Sequence, residues 1–113
     1  MKRIVVYGSY KKNSRRGWRY KGKDKQIYLR DILLTDFEMY DMGGYPAICE
    51  GDGNVKCEIH MVSDEIFTEI KSERLLNRFD EAVMEIDGID CVFFTKEKKD
   101  MGSYPRVLDG DWS

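Results

Sequence analysis

Apolar and polar residues alternate most clearly over residues 55–61, near the middle of the chain. A period of two is typical of a strand that buries one of its faces. The apolar positions are Val55, Cys57, Ile59 and Met61, and the polar positions between them are Lys56, Glu58 and His60. The pattern therefore predicts a half-buried strand, with His60 on the face that meets solvent.

The remaining apolar runs predict further strands and one helix, in a mixed α+β order. Ser63 is a good N-cap residue, and Asp64 and Glu65 favour the first turn of a helix over residues 63–72. Its apolar positions are Ile66, Phe67 and Ile70, and Leu75 continues the same face. Strands are predicted over residues 3–7, 27–34, 37–40, 47–50, 79–86 and 89–95.

Glycine-containing segments predict three connections between these strands. Residues 41–46 hold two glycines and a proline, which predict a turn or loop. Residues 51–54 read Gly-Asp-Gly-Asn and predict a hairpin connection. Asp87-Gly88 predicts a tight hairpin turn between the last two strands.

The first predicted strand ends in Tyr7-Gly8-Ser9-Tyr10. Gly8 has no Cβ, so the backbone there can bend or approach a ligand closely. Backbone N–H groups at the carboxyl end of a buried strand can hold a carboxylate. Two interpretations stay open on these residues alone: a strand followed by a simple turn, and a site for a small anion.

Length and composition are typical of one globular domain. The chain has 113 residues, 35% of them charged and 42% hydrophobic, with a net charge of −2. Apolar runs are too short for a bilayer span of about 20 residues or for a signal peptide. Cys49, Cys57 and Cys91 are odd in number and form no C-x-x-C pair, which predicts a reduced, cytoplasmic compartment and no membrane partner.

Basic residues crowd one segment, residues 11–25, where they interleave with Trp18 and Tyr20. Such a segment can bind single-stranded nucleic acid, steer an anionic small molecule, or form a solvated loop. The rest of the chain is acidic enough to cancel this patch, which argues against a nucleic-acid partner.

Most common catalytic chemistries lack their residues in this sequence. His60 is the only histidine, so a Ser/His or Cys/His pair or a zinc site would have to depend on it. Phosphate-binding glycine motifs do not occur. A carboxylate is the remaining acid–base group, and the candidates are Glu58, Glu65, Glu69, Glu73, Glu81 and Glu85.

Several short motifs together resemble the γ-glutamylcyclotransferase-like family, which includes the γ-glutamylamine cyclotransferases. Tyr7-Gly8-Ser9-Tyr10 resembles the family's Y-G-[ST]-L loop, and residues 39–48, MYDMGGYPAI, resemble its L-Y-d-l-G-G-Y-P-a-l segment. Residues 55–62 resemble its V-x-G-E-v-y-x-V strand, and Gly110-Asp111-Trp112 resembles its closing G-D-W. The resemblance covers nearly the whole chain, in the family's order.

The resemblance implies a fold and an activity. The fold would be a small mixed β-barrel with helices packed outside. The activity would be cyclisation of a γ-glutamyl group, which releases 5-oxoproline and an amine or amino acid without a metal or organic cofactor. The substrate would be a small γ-glutamyl compound or another anionic ligand. The substrate-binding residues carried over are Tyr7, Gly8, Ser9, Tyr10 and Tyr45.

The helix motif departs from the family's pattern and leaves the catalytic residue open. The family's helix ends L-D-x-x-E, and a tyrosine follows six residues after that glutamate. Glu73 precedes Phe79 by six residues, so this spacing favours Glu73 as the acid–base residue and places Arg74 just outside the site. Without a deletion in the helix, Arg74 replaces the glutamate instead. The alternative function is then a catalytically inactive protein of this fold that binds a small ligand or a macromolecular partner.

Overall fold

The structure, a computed structural model, describes residues 1–8 and 26–112. Within these two ranges, five strands and one α-helix follow each other: β1 (Lys2–Val6), β2 (Gln26–Asp41), β3 (Pro46–Val62), α1 (Asp64–Leu76), β4 (Asp80–Ile86) and β5 (Ile89–Thr95). A short 3-10 helix, Lys98–Asp100, comes after β5.

The strands form one mixed sheet in the order β2–β3–β1–β5–β4. β1 is antiparallel to β3 and parallel to β5, and it therefore lies at the centre of the sheet. The sheet curls, and the N–H of Lys96 donates to the carbonyl of Ile48 across the curl at 2.9 Å. In the residues that the structure describes it does not close into a complete barrel. The expected α+β class, with a helix packed outside a curled sheet, is confirmed.

The longest elements are β2 and β3, which pair as one hairpin. The predicted ranges 27–34, 37–40 and 47–50 all lie in strands, but residues 35–36 and 51–54 are strand as well, so the hairpin predicted at residues 51–54 is wrong. The chain turns at Gly43 and Gly44, within the turn predicted over residues 41–46, and these glycines have φ angles of 96° and 106°. Asp41 Oδ1 accepts hydrogen bonds at 2.9 Å from both of their N–H groups.

Gly51 and Gly53 lie in the interior of β3, where other groups come too close for any side chain. A Cβ on Gly51 would lie 2.2 Å from Cδ of Glu38, and one on Gly53 would lie 2.6 Å from Nη2 of Arg106. Glycine in a strand often marks such an approach rather than a turn. The Gly-Asp-Gly-Asn pattern alone does not distinguish the two.

His60 is buried, with 2% of its surface exposed, so the prediction of a solvent-facing histidine is wrong. Its Nε2 lies 2.9 Å from Glu58 Oε1, and its Nδ1 lies 2.9 Å from Gln26 Nε2. The Tyr28 ring packs edge-on at 5.7 Å between centroids. Alternation shows that side chains point to opposite faces, but here both faces of β3 are covered. Hydrogen bonds allow a polar ring to be buried on the second face.

Helix α1 begins where the sequence predicts and continues about one turn beyond residue 72. Ser63 Oγ accepts a hydrogen bond from the Ile66 N–H at 3.1 Å, which confirms the N-cap. Ile66, Phe67 and Ile70 are buried as expected. Leu75 is 49% exposed, however, and Arg74 takes the next buried position at 9% exposed. The spacing of four residues from Ile66 through Ile70 leads to position 74, so the prediction for Leu75 is wrong.

The hairpin of β4 and β5 matches its prediction. β5 has the expected bounds, and β4 begins one residue later than expected. Asp87 and Gly88 have φ angles of 55° and 78°, and positive φ at both central residues is what a two-residue type I′ turn requires. An ion pair between Asp87 and Arg30 links this turn to β2.

The C-terminal segment, residues 105–112, is held against β2 and β3. The Val107 N–H donates to the Met39 carbonyl, and the Lys56 N–H donates to the Gly110 carbonyl, both at 2.8 Å. Arg106 Nη1 lies 3.4 Å from the carboxylate of Glu38, which is only 3% exposed.

Glu38 is a buried carboxylate at the centre of a charged cluster whose other charged members, Lys98, Arg106 and Asp52, are more exposed. Lys98 Nζ lies 3.3 Å from its carboxylate, and the Tyr40 hydroxyl donates to it at 3.0 Å. Hydrogen bonding with Asp52 is the largest influence on this group, and bonds from Tyr40 and Lys98 act in the same direction. Against the opposing effect of burial, these bonds lower the pKa of Glu38 from 4.5 to about 2.

Ile70→Asp tests the packing of α1. Burying an isoleucine side chain stabilises a protein by about 1.5–3 kcal/mol, and a buried unpaired charge adds a further cost. We expect this variant to lose more than about 3 kcal/mol of unfolding free energy, or not to fold, in thermal and urea denaturation. Ser72→Asp, at an exposed position of α1, is the control and should change stability by less than about 0.5 kcal/mol. An Ile70→Asp melt equal to that of the parent would contradict this packing.

The lowered pKa of Glu38 makes stability depend on pH in acid. A carboxyl group with a depressed folded-state pKa contributes fully above its unfolded pKa, and this contribution is lost as the pH falls from about 4.5 toward about 2. We therefore expect the unfolding free energy from urea denaturation to drop more between about pH 5 and about pH 3 in the parent than in Glu38→Gln. Glu85→Gln, at an exposed carboxyl group, is the control and should follow the parent. Equal losses in the parent and Glu38→Gln would count against the cluster.

Candidate functional site

The carboxyl end of β1 is fixed by a buried tyrosine. The Tyr7 hydroxyl donates a hydrogen bond to the Phe94 carbonyl at 2.6 Å, and the side chain is almost fully buried. A buried tyrosine normally needs such a partner for its hydroxyl. The bond ties the end of β1 to β5, its parallel neighbour.

Gly8 follows Tyr7 and packs against the start of β3. Its φ is +68°, and a Cβ at this position would lie 2.3 Å from Cγ of Pro46. Only glycine meets both conditions, because it tolerates positive φ and has no side chain to collide with the proline ring. The close approach expected at Gly8 is thus made to the protein itself. Binding of a carboxylate by backbone N–H groups here stays a prediction.

Part of the expected site lies outside the described residues. This holds for Ser9 and Tyr10, and for the basic segment 11–25, whose composition is compatible with binding an anion or single-stranded nucleic acid. Tyr45 is described and exposed, and its ring centroid lies 6.4 Å from that of Phe79. Tyr45 therefore borders the same region as the end of α1.

Arg74 reaches from α1 to the end of β1. Its guanidinium carbon lies 5.2 Å from the centre of the Tyr7 ring and 4.5 Å from that of the Phe79 ring. Both distances are within the range in which a cation is attracted to an aromatic face. The buried face of α1 passes through position 74, so Arg74 lies against Tyr7, a predicted substrate-binding residue, and its place just outside the site stays a prediction.

Glu73 lies at the border of that buried face. It is half-buried and comes three residues after Ile70, about 100° around the helix axis from Arg74. Its backbone carbonyl accepts hydrogen bonds from the Asn77 N–H and from Asn77 Nδ2. Its role as the acid–base residue stays a prediction.

Phe79 brings a second cation to this region. Lys96 Nζ lies 4.6 Å from the centre of the Phe79 ring and donates to the Asn77 carbonyl at 2.7 Å. Burial lowers the pKa of Lys96, and the positive charges of Arg78 and Arg74 act in the same direction. No motif in the sequence singles out Lys96. Its place two residues after Phe94 is the only signal, since strand periodicity puts both on one face.

The other carboxylate candidates lie elsewhere. The Glu58 carboxylate lies 2.9 Å from His60 Nε2, and the Glu81 carboxylate lies 3.4 Å from Lys71 Nζ. Glu65, Glu69 and Glu85 are exposed. Within the described ranges, no group of three or more His, Cys, Asp and Glu side chains is placed to hold a metal ion. No helix of those ranges is long and apolar enough to span a bilayer.

The fold and site define a small α+β protein with a cationic, aromatic-lined region at the end of its central strand. The sequence matches the family described as gamma-glutamyl cyclotransferase, AIG2-like, over residues 4–113, and the chain belongs to this family. No curated protein is significantly similar to it in sequence.

Solved structures share the fold at low sequence identity. An uncharacterized protein from Pyrococcus horikoshii aligns with a TM-score of 0.78 and 23% identity, over 99% of this chain and 90% of that protein. The ytfP protein of Escherichia coli aligns with 0.75 and 20%, over 97% and 95%. An AIG2-like protein from Mus musculus aligns with 0.79 and 14%, over 100% and 88%. Identities this low show a common fold alone.

Gly8→Ala tests the contact with Pro46, and Gly43→Ala is a matched control. Both variants place a side chain at positive φ, which costs about 1–2 kcal/mol. At Gly43, no described atom lies within 4 Å of the added Cβ, whereas at Gly8 the proline ring must move. We expect Gly8→Ala to lose about 1–3 kcal/mol more unfolding free energy than Gly43→Ala. Equal losses in the two variants would show that Gly8 and Pro46 are not in tight contact.

Proposed function

We propose that this protein binds a small γ-glutamyl compound at the carboxyl end of β1, with Arg74 as the group that attracts its carboxylate. The observation that carries the proposal is the position of Arg74, a buried residue whose guanidinium carbon lies 5.2 Å and 4.5 Å from the ring centres of Tyr7 and Phe79. Membership of the gamma-glutamyl cyclotransferase, AIG2-like family supports the choice of ligand.

The chemistry of the guanidinium suits binding. Arginine stays protonated at all ordinary pH values, and its planar fork can donate two parallel hydrogen bonds to one carboxylate. Charge-assisted hydrogen bonds of this kind are stronger where water is largely excluded, as beside two buried rings. Tyr7 and Phe79 hold the fork in place through their faces.

The same chemistry argues against proton transfer at position 74. A general base must accept a proton in the transition state, and a guanidinium has no lone pair available for this. The side chain that α1 buries against Tyr7 thus favours a ligand site without catalysis at that position. This is the binding alternative that the helix motif left open.

Cyclisation by Glu73 is a second candidate function. Glu73 is half-buried, borders the same helix face and precedes Phe79 by six residues. In this reaction, the α-amine nitrogen of the substrate bonds to its γ-carbonyl carbon, and the bond from that carbon to the amide nitrogen breaks. The Glu73 carboxylate would take a proton from the attacking amine and return it to the leaving nitrogen, so that no other reactant is needed.

Two measurements on the same variants separate these functions. Titration calorimetry should show that the parent binds γ-glutamylglycine, and that Arg74→Met binds it at least about 10-fold more weakly. A hydrogen bond to a charged group contributes about 1.5–3 kcal/mol, and 1.4 kcal/mol is tenfold in affinity. Arg78→Met removes a nearby exposed arginine and is the control, which should bind like the parent. Arg74→Lys shows whether the fork or the charge matters.

The assay for 5-oxoproline decides between binding and catalysis. We expect no 5-oxoproline above background from the parent with any γ-glutamyl compound. Turnover by the parent that falls about 10²–10⁴-fold in Glu73→Gln would establish the second candidate instead. Absence of both binding and turnover in a folded parent would reject both functions.

A further inference from the structure

We infer that the ligand carries a second carboxylate, which Lys96 binds, so that γ-glutamyl amino acids are preferred over neutral γ-glutamyl amines. This inference rests on the proposed function and names the ligand class within it. It comes from the second cation that the structure places beside the first.

Arg74 and Lys96 share one aromatic ring. Their charged groups lie 4.5 Å and 4.6 Å from the centre of Phe79, and each residue is only 9% exposed. The two charges therefore cannot be farther apart than the sum of these distances. Lysine and arginine are among the residues least often buried, and two of them at one ring form a concentrated positive site.

The contact with α1 accounts for only part of the role of Lys96. Its Nζ donates to the Asn77 carbonyl at the end of the helix, where a cation is favourable. An ammonium has three N–H donors, and this bond uses one of them. The nearby acids Asp80 and Asp100 raise the pKa of Lys96, but burial and the neighbouring arginines outweigh them and lower it overall. An added carboxylate would act in the same direction as these acids and raise the pKa of Lys96.

The geometry also relates Lys96 to the rest of the site. The Lys96 N–H bonds to Ile48, two residues after the Pro46 that packs on Gly8. The ring of Phe79 is the common neighbour of Lys96, at 4.6 Å, and of the Tyr45 ring, at 6.4 Å. A ligand that spans from Arg74 to Lys96 would therefore lie beside the ring of Phe79. In a γ-glutamyl amino acid, the two carboxylates stand at opposite ends of the molecule, whereas a γ-glutamyl amine carries only one.

Two ligands that differ by one carboxylate test the inference. γ-Glutamylglycine and γ-glutamylmethylamide share the γ-glutamyl group and the amide, and only the first has a distal carboxylate. In titration calorimetry we expect the parent to bind γ-glutamylglycine at least about 10-fold more tightly. Lys96→Met should remove this preference by weakening γ-glutamylglycine binding, with less than about twofold effect on the methylamide.

Two control variants complete the test, one that keeps the charge at position 96 and one that removes a different lysine. Lys96→Arg keeps the positive charge and should keep the preference. Lys99→Met removes an exposed lysine three residues away and should bind both ligands as the parent does. Thermal melts of all variants report on folding, so a general loss of structure would be seen as weaker binding of both ligands together.

Each other outcome has a definite meaning. Equal affinities of the parent for the two ligands, or an equal loss for both in Lys96→Met, would show that Lys96 serves only the end of α1 and would overturn the inference. The proposed function would survive either result, because the parent still binds a γ-glutamyl group. A folded parent that binds neither ligand would overturn the proposed function and this inference with it.

Discussion

The contact between Gly8 and Pro46 is the constraint on which the candidate site depends. It brings the end of the central strand onto the start of β3, while the Tyr7 hydroxyl holds the preceding residue on β5. With β1 fixed from both sides, the ring of Tyr7 forms a surface for the last buried side chain of α1. A residue with a side chain at position 8 would push these elements apart, because the proline ring already fills the space.

Local sequence signals predicted those elements whose structure depends on nearby residues. The cap at Ser63, the Asp87-Gly88 turn and the strand that follows it are determined within a few residues, and their predictions hold. The prediction of a hairpin at residues 51–54 is wrong because its two glycines make room for Glu38 and Arg106, which are distant in sequence. The prediction that His60 faces solvent is wrong for a related reason. Alternation along a strand cannot show whether the second face of that strand is covered by other residues.

The residues of the candidate site also differ in whether nearby sequence predicts them. Tyr7 and Gly8 follow directly from the end of an apolar run and were predicted. Arg74 and Lys96 become neighbours only when the end of α1 and the end of β5 meet at Phe79, and no local pattern records this. Helical spacing from Ile66 and Ile70 would have indicated position 74, but a charged residue is normally assigned to the solvent side. A role for Arg74 and Lys96 therefore has to be argued from the site itself, since function belongs to the site rather than to the fold.

The ion pair between Arg30 and Asp87 has a consequence for behaviour at high concentration. In the described residues, β2 and β4 are the outer strands of the sheet, and the outer strands of any sheet can pair with another molecule and aggregate. Arg30 in β2 faces the turn that ends β4, and Glu81 and Glu85 place exposed carboxylates along β4 itself. A strand from a second copy would have to displace the pair and bury these charges. The curled sheet thereby protects its own edges against self-association, although it has no neighbouring strand there to complete it in the part of the chain that is described.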